Sequence, residues 1–178
     1  LGDVYKRQGQ DRIVIPGGLN AKLNEIHAAM ALANLDEMDQ LVADNRKRYK
    51  HYQSMLSKLK GIRLLEFDES HKTSYKNIVV EVLDRWPLSR DETIKILNAE
   101  NILARAYYSP PLHQKKMSYE FVAQSLETTE RLAKRYMLLP CGDFVDCNDI
   151  DEIMNLLKFI DSQGTEIAGR IACRNESI

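Results

Sequence analysis

Between Leu23 and Leu59 the chain runs without a proline or glycine, and apolar residues recur at helical spacing through Ile26, Met30, Ala33, Met38, Leu41, Tyr49, Tyr52, Leu56 and Leu59. Glu25, Asp36, Glu37, Asp44, Arg46, Lys47, Lys50 and Lys58 fall between them, which describes an apolar stripe on a charged rod. At about 1.5 Å per residue such a helix reaches on the order of 55 Å, more than one small domain spans. A rod this long belongs to a coiled coil, a repeat, or a helix that carries one domain away from another. The spacing is not a clean heptad, which favours the last of these. A bend is expected near Asp44-Asn45, where helix propensity is weakest.

The pattern around the rod alternates strand and helix signals. Arg12 to Ile15 reads as a short strand closed by Pro16-Gly17-Gly18, and Asn20 follows in the loop before the rod. Gly61 stands where a helix C′ residue belongs, after Lys58 and Lys60. Ile62 to Phe67 is a candidate strand, and Asn77 to Leu83 alternates with Ile78, Val80 and Val82 on one side. Ser89-Arg90-Asp91-Glu92 is a capping box that opens a helix to about Asn101. Ile102 to Tyr108 returns as a strand, and Pro110-Pro111 forces an extended turn that ends at His113. Short helices over Tyr119–Gln124 and Leu126–Tyr136 precede a strand at Met137–Leu139. Asn148, with Asp151 three residues on, caps a last helix to about Ser162, which Gly164 ends. Thr165 to Ile178 has no sustained period and reads as a flexible tail. The order predicts an α+β or two-layer α/β fold, a small mixed or antiparallel sheet covered by helices.

Composition narrows the class. Its 178 residues leave room for one domain and part of a second, and 44% hydrophobic content supports a true core. No apolar run is long enough for a membrane span. A net charge of −1 gives no global attraction to nucleic acid or anionic lipid. Cys141, Cys147 and Cys173 have neither metal nor redox spacing and read as packing residues of a cytoplasmic protein. Asp3 to Gln8 back-translates to the transposon end used in sequencing-library adapters, and the chain lacks an initiating Met. Residues 1–8 are therefore set aside as an adapter scar on the C-terminal part of a longer protein. The expected organisation is a large-domain remnant and the start of the rod over 9–45, a small domain over 46–164, and the tail.

Candidate chemistry is sparse. His27, His51, His71 and His113 are scattered, with no His-Glu-x-x-His, paired cysteines, Gly-x-Ser-x-Gly or P-loop. Pro16-Gly17-Gly18 could bring backbone close to a phosphate, although it also suits an ordinary turn. Asn45 to Tyr52, NRKRYKHY, mixes bases and aromatics as nucleic-acid binders do. It also fits a solvated helix face on which Tyr49 and Tyr52 point inward, the reading preferred for a slightly acidic chain. Ala104 to His113, ARAYYSPPLH, places Arg105, Tyr107, Tyr108 and His113 at the end of a strand where a proline pair fixes the backbone. They could grip a polar ligand, or the tyrosines could pack at a sheet edge while His113 caps a turn.

Three separated segments share one pattern. GGLNAKLNEIHAAMALANLDEMD (17–39), ILARAYYSPPLH (102–113) and TERLAKRYMLLP (129–140) resemble elements of the DegT/DnrJ family of nucleotide-sugar aminotransferases, in order and over about Arg12 to Ile160. The resemblance implies the C-terminal small domain of a fold-type-I homodimer dependent on pyridoxal 5′-phosphate, with the rod leading out of a large domain. By matched position, Asn20 would reach the cofactor phosphate of the partner subunit, with Lys22 at the neighbouring basic position. Arg105, Tyr107, Tyr108 and His113 would lie near the sugar nucleotide. Tyr107 stands where His is common, which points to dTDP-linked 6-deoxy keto sugars, and Asn101 stands where Gly often precedes Ile.

The implied reaction moves an amino group from an amino acid such as glutamate to the sugar's keto group. No catalytic residue is expected in this chain, because the family places the lysine that carries the cofactor upstream. Ser57 to Lys60 has the Ser-x-x-Lys spacing but lies at the solvated end of the rod. The isolated chain is thus expected to be inactive. Two other classes fit the same residues: a non-catalytic relative that serves dimer formation or ligand sensing, and a sugar dehydratase of the same family.

Overall fold

The structure, a computed structural model, describes residues 23–120 and 124–175. The expected strand Arg12–Ile15, the Pro16-Gly17-Gly18 turn, Asn20 and Lys22 lie outside the described residues. The rod is two helices, α1 (Glu25–Asp36) and α2 (Met38–Leu56), interrupted at Glu37. The break therefore falls at Glu37 and not at Asp44-Asn45. Both of the latter residues have partners that leave the helix intact. Asp44 accepts from Gln40 at 3.0 Å, while Asn45 accepts from Arg48 at 3.1 Å and donates to the Ser74 carbonyl at 3.4 Å. Glu37, by contrast, makes no side-chain cap for the helix it begins. α1 is capped by Asn24, which accepts from the His27 amide at 2.9 Å, yet it buries none of its residues.

The sheet holds β1 (Ile62–Leu64), β2 (Ile78–Val82), β3 (Arg105–Ala106) and β4 (Tyr136–Leu139) in the order β1-β2-β4-β3, with every pairing antiparallel. Register sets the two faces, because paired residues share a side and neighbours along a strand alternate. Val80 opposes Leu64 and Met137, and Ile78 opposes Leu139. Together with Tyr49, Tyr52 and Leu56 of α2, Leu97 of α3 (Arg90–Ala99) and Ile150, Met154 and Leu157 of α5 (Cys147–Asn175), they form one buried cluster. Three helices thus cover one face, the two-layer α/β arrangement expected from element order.

Tyr49 and Tyr52 do point inward, at 1% and 0% exposure. The Tyr49 hydroxyl accepts from the Phe67 amide at 3.2 Å, and the Tyr52 hydroxyl donates to the Pro140 carbonyl at 3.0 Å. Burial pushes the Tyr52 phenol well above its usual range. On the outer side Arg46 and Lys50 both pair with Glu69.

Two glycines do a different job from the one their positions suggest. Gly61 is not left-handed; a Cβ there would lie 2.5 Å from Trp86 Cε3, so the residue makes room for the tryptophan. Gly164 does not end α5 but sits inside it, where a Cβ would lie 2.0 Å from Pro87 Cγ. Residues 165–175 consequently continue the helix in place of the expected tail, with Ile167, Ala168 and Ile171 against the core. The cap of α5 is also displaced by two residues. Asp146 accepts from the amides of Asn148 and Asp149 at 2.7 and 2.9 Å, and Asp149 accepts from the Asp146 amide at 2.8 Å. That is the reciprocal geometry of a capping box built with aspartates.

The expected strands shorten where the backbone turns left-handed. Asn101 has φ 60 and Tyr108 φ 47, and they bracket β3. Asn tolerates this region better than other side chains, so Asn101 serves where a glycine otherwise would. α4 (Glu127–Ala133) lies within the range expected for the second short helix. Residues 119, 120 and 124 of the first are not helical, and 121–123 lie outside the described residues.

Candidate functional site

β3 leads directly into the segment that carries the candidate ligand residues. The Tyr107 amide donates to the Tyr136 carbonyl at 3.1 Å, which extends the ladder by one bond. Tyr108 then turns left-handed and stands 76% exposed, its ring centroid 4.6 Å from that of Tyr107 in an edge-on arrangement. Ser109-Pro110 is a cis peptide, and a 3-10 turn over Leu112–Gln114 follows. In the lip formed by Tyr107, Tyr108 and Ser109, the last two are exposed and Tyr107 is half-buried.

Arg105, two residues before Tyr107 on the same side of β3, is exposed, and its guanidinium has no hydrogen bond or ion pair among the described residues. Such a guanidinium, on a strand that leads to an exposed phenol, can hold a phosphate or a sugar hydroxyl. Arg105 also lines a cavity of about 780 Å³ between the β3–β4 edge and α5, along with Lys76, Asn101, Leu138 and Glu152. Tyr107, Tyr108 and His113 do not line it. Arg105, Tyr107 and Tyr108 thus follow one another along and just beyond β3, and the four candidates do not converge on a single cavity.

His113 is engaged elsewhere. Its Nε2 lies 3.1 Å from Glu130 Oε1 on α4, and its side chain is only 16% exposed. That bond, helped by the Leu126 amide, holds the Glu130 carboxyl below its usual range. The imidazole therefore ties the end of the proline turn to α4. Cys141, also on the cavity wall, has its thiol pushed up by burial, and Sγ lies 3.8 Å from both Asn45 Oδ1 and the Tyr75 carbonyl. It packs and is not poised as a nucleophile.

One residue escaped the sequence reading altogether. Arg90, inside the capping box of α3, is 5% exposed and donates to the Tyr136 carbonyl at 3.1 Å and to Ser109 Oγ at 3.4 Å. A charged residue in the first turn of a helix reads as solvated, and nothing local in SRDE announces that this one turns inward.

Comparison with known proteins places these features in context. The family model for the DegT/DnrJ/EryC1/StrS aminotransferases matches residues 3–158. A dTDP-4-amino-4,6-dideoxy-D-glucose transaminase of Escherichia coli is 24% identical over 135 residues, 74% of this chain and 36% of the relative. Among solved structures, DesI in the presence of its TDP-sugar product is 31% identical with a TM-score of 0.79, over 88% of this chain and 40% of that one. The E. coli GDP-4-keto-6-deoxy-D-mannose-3-dehydratase with bound hydrated PLP superposes with a TM-score of 0.64 over 81% of this chain and 37% of its own, at 15% identity, a likeness of fold alone. The chain thus spans roughly two fifths or less of the length of these relatives. With the family pattern running through nearly all of it, the chain belongs to the DegT/DnrJ/EryC1/StrS aminotransferase family.

Proposed function

We propose that this chain is the C-terminal part of a pyridoxal-phosphate-dependent enzyme that moves an amino group from an amino acid, glutamate, to the keto group of a dTDP-linked deoxysugar. The observation that carries the reading is the Arg105 guanidinium, unpaired among the described residues, on the strand that leads to the exposed Tyr108. Family membership and the substrate named for the E. coli relative support it. In this reading Arg105 neutralises nucleotide phosphate, while Tyr107 and Tyr108 supply ring faces and hydroxyls to the sugar nucleotide. His113 orients the lip through Glu130.

When bound, pyridoxal phosphate supplies an electron sink for the proton shift that accompanies amino transfer. The described residues do not fit its covalent attachment, since no lysine among them is buried and Lys76, on the cavity wall, is exposed. The chain's share of the work is therefore recognition. Asn20 and Lys22 are assigned to the cofactor phosphate in a cytoplasmic homodimer, with the lysine upstream. Residues 9–45 are assigned to the large domain and those from 46 through the end of α5 to the small one, a division supported by α1, which buries nothing against the core.

The test is amino transfer by the full-length enzyme, with the upstream sequence restored, from glutamate to dTDP-4-keto-6-deoxyglucose. Formation of 2-oxoglutarate and the 4-amino sugar nucleotide is expected. Loss of a sugar hydroxyl without amino transfer would instead make the enzyme a dehydratase, and no turnover with a lysine missing upstream would make it a non-catalytic relative. The 178-residue chain mixed with pyridoxal phosphate should show no borohydride-reducible adduct at one equivalent; such an adduct would relocate the lysine into this chain.

A further inference from the structure

Helix α3 starts from a firmly fastened platform. The Ser89 amide donates to Glu92 Oε2 at 2.8 Å and the Glu92 amide to Ser89 Oγ at 3.2 Å. The Thr93 hydroxyl donates to the Ser89 carbonyl at 2.9 Å, and Trp86 Nε1 donates to Thr93 Oγ1 at 2.9 Å. From this platform Arg90 reaches out of its own helix. Nη1 donates to the Tyr136 carbonyl, the same oxygen that receives the Tyr107 amide, and Nη2 donates to Ser109 Oγ. One guanidinium therefore holds the last residue of the lip directly and the β4 carbonyl that anchors its first residue. Tyr108 stands between the two grips, left-handed and exposed.

Energetics argue against a purely stabilising role. Arg90 is 5% exposed, and among the described residues the carboxylate paired with it is that of Asp91, 70% exposed and 2.7 Å from Nε, a close charge contact without hydrogen-bond geometry. Burying a guanidinium against two neutral acceptors and one solvent-exposed carboxylate returns little beyond its desolvation cost, and an apolar side chain would fill the space more cheaply. What the charge provides is geometry, since it joins the start of α3, β4 and the lip at three fixed points.

We propose that Arg90 is a positioning residue: without touching the ligand, it sets the lip so that Tyr108 meets the sugar nucleotide in one orientation. The proposal rests on the reading of the lip as the substrate-facing edge. It also gives Ser109 a role, as the lip's own handle for the clamp.

The experiment compares wild type, Arg90→Lys and Ser109→Ala of the full-length enzyme. Ser109 is exposed, so its variant folds even if the buried substitution does not. Both variants should raise KM for dTDP-4-keto-6-deoxyglucose, Ser109→Ala by about fivefold and Arg90→Lys by about tenfold, the scale of a lost hydrogen bond to a charged group. The glutamate half-reaction and the Ser109→Ala melting temperature should not change. Amide exchange on the same proteins should show a faster Tyr107 amide in both variants. An unchanged KM for Ser109→Ala, or an equal loss in both half-reactions, would overturn the positioning role. If wild type transfers no amino group, the functional reading fails by itself. Exchange then decides the clamp alone, and an unaltered Tyr107 amide refutes it.

Discussion

On one face of the sheet Ile62, Leu64, Ile78, Val80, Val82, Met137 and Leu139 lie at 9% exposure or less beneath α2, α3 and α5. On the other, set one residue out of phase along the same strands, stand Arg63, Val79, Glu81, Tyr136, Leu138 and Arg105. The second face is not simply bare. Val79 and Glu81 are both 5% exposed, but Val79 lies outside the core cluster, and Glu81 is compensated by Arg63 and Arg135. Toward β3 this face ends in an unpaired guanidinium. A period of two thus separates the sealed face from the face that carries Arg105 within four short strands, and a one-residue slip in register would exchange them.

That separation can be broken from the covered side first. Met137→Ala, at a position with 0% exposure in the middle of the sheet, should cost about 2–5 kcal/mol in urea unfolding. A cost below about 0.5 kcal/mol would mean that the face is not sealed. Gly164→Ala comes next, because its Cβ would meet the Pro87 ring at 2.0 Å and the ring or helix must move. Overpacking of this kind should cost about 1–3 kcal/mol, whereas a helix-ending glycine away from any neighbour would tolerate alanine. The smallest effect is expected at Glu92, whose carboxyl is held below its ordinary value of 4.5 chiefly by the Ser89 hydroxyl. A depressed carboxylate contributes stability above its unfolded pKa and loses it as pH falls through the folded value. The wild type should therefore melt above Glu92→Ala at pH 6, and the gap should narrow as the pH falls below 4.5 through the lowered folded value. A gap that stays constant would remove the ionised carboxylate from the cap.

What could be read in advance follows from how local each cause is. The capping box at Ser89 and Glu92 forms as expected, because both partners lie within one turn. β2 and the inward turn of Tyr49 and Tyr52 follow from periodicity. Gly61 and Gly164 misled because their reasons, Trp86 and Pro87, are distant in sequence. The break at Glu37 lies in a stretch whose composition favours helix throughout, and the weaker formers Asp44 and Asn45 were rescued by side-chain partners. At the candidate site the aromatic and proline-rich string was visible. The engagement of His113 by Glu130 and the inward turn of Arg90 were not, since both depend on elements that meet only when the sheet closes.

The division of the sheet into a sealed face and a ligand-facing edge is tested most directly by Arg105→Ala in the full-length enzyme, read as KM for the sugar nucleotide beside the melting temperature. An exposed, unpaired side chain should leave stability within about 0.5 kcal/mol of wild type. KM should rise about tenfold or more through the lost charge-assisted contact. An unchanged KM, or a fall in melting temperature with KM intact, would contradict the account.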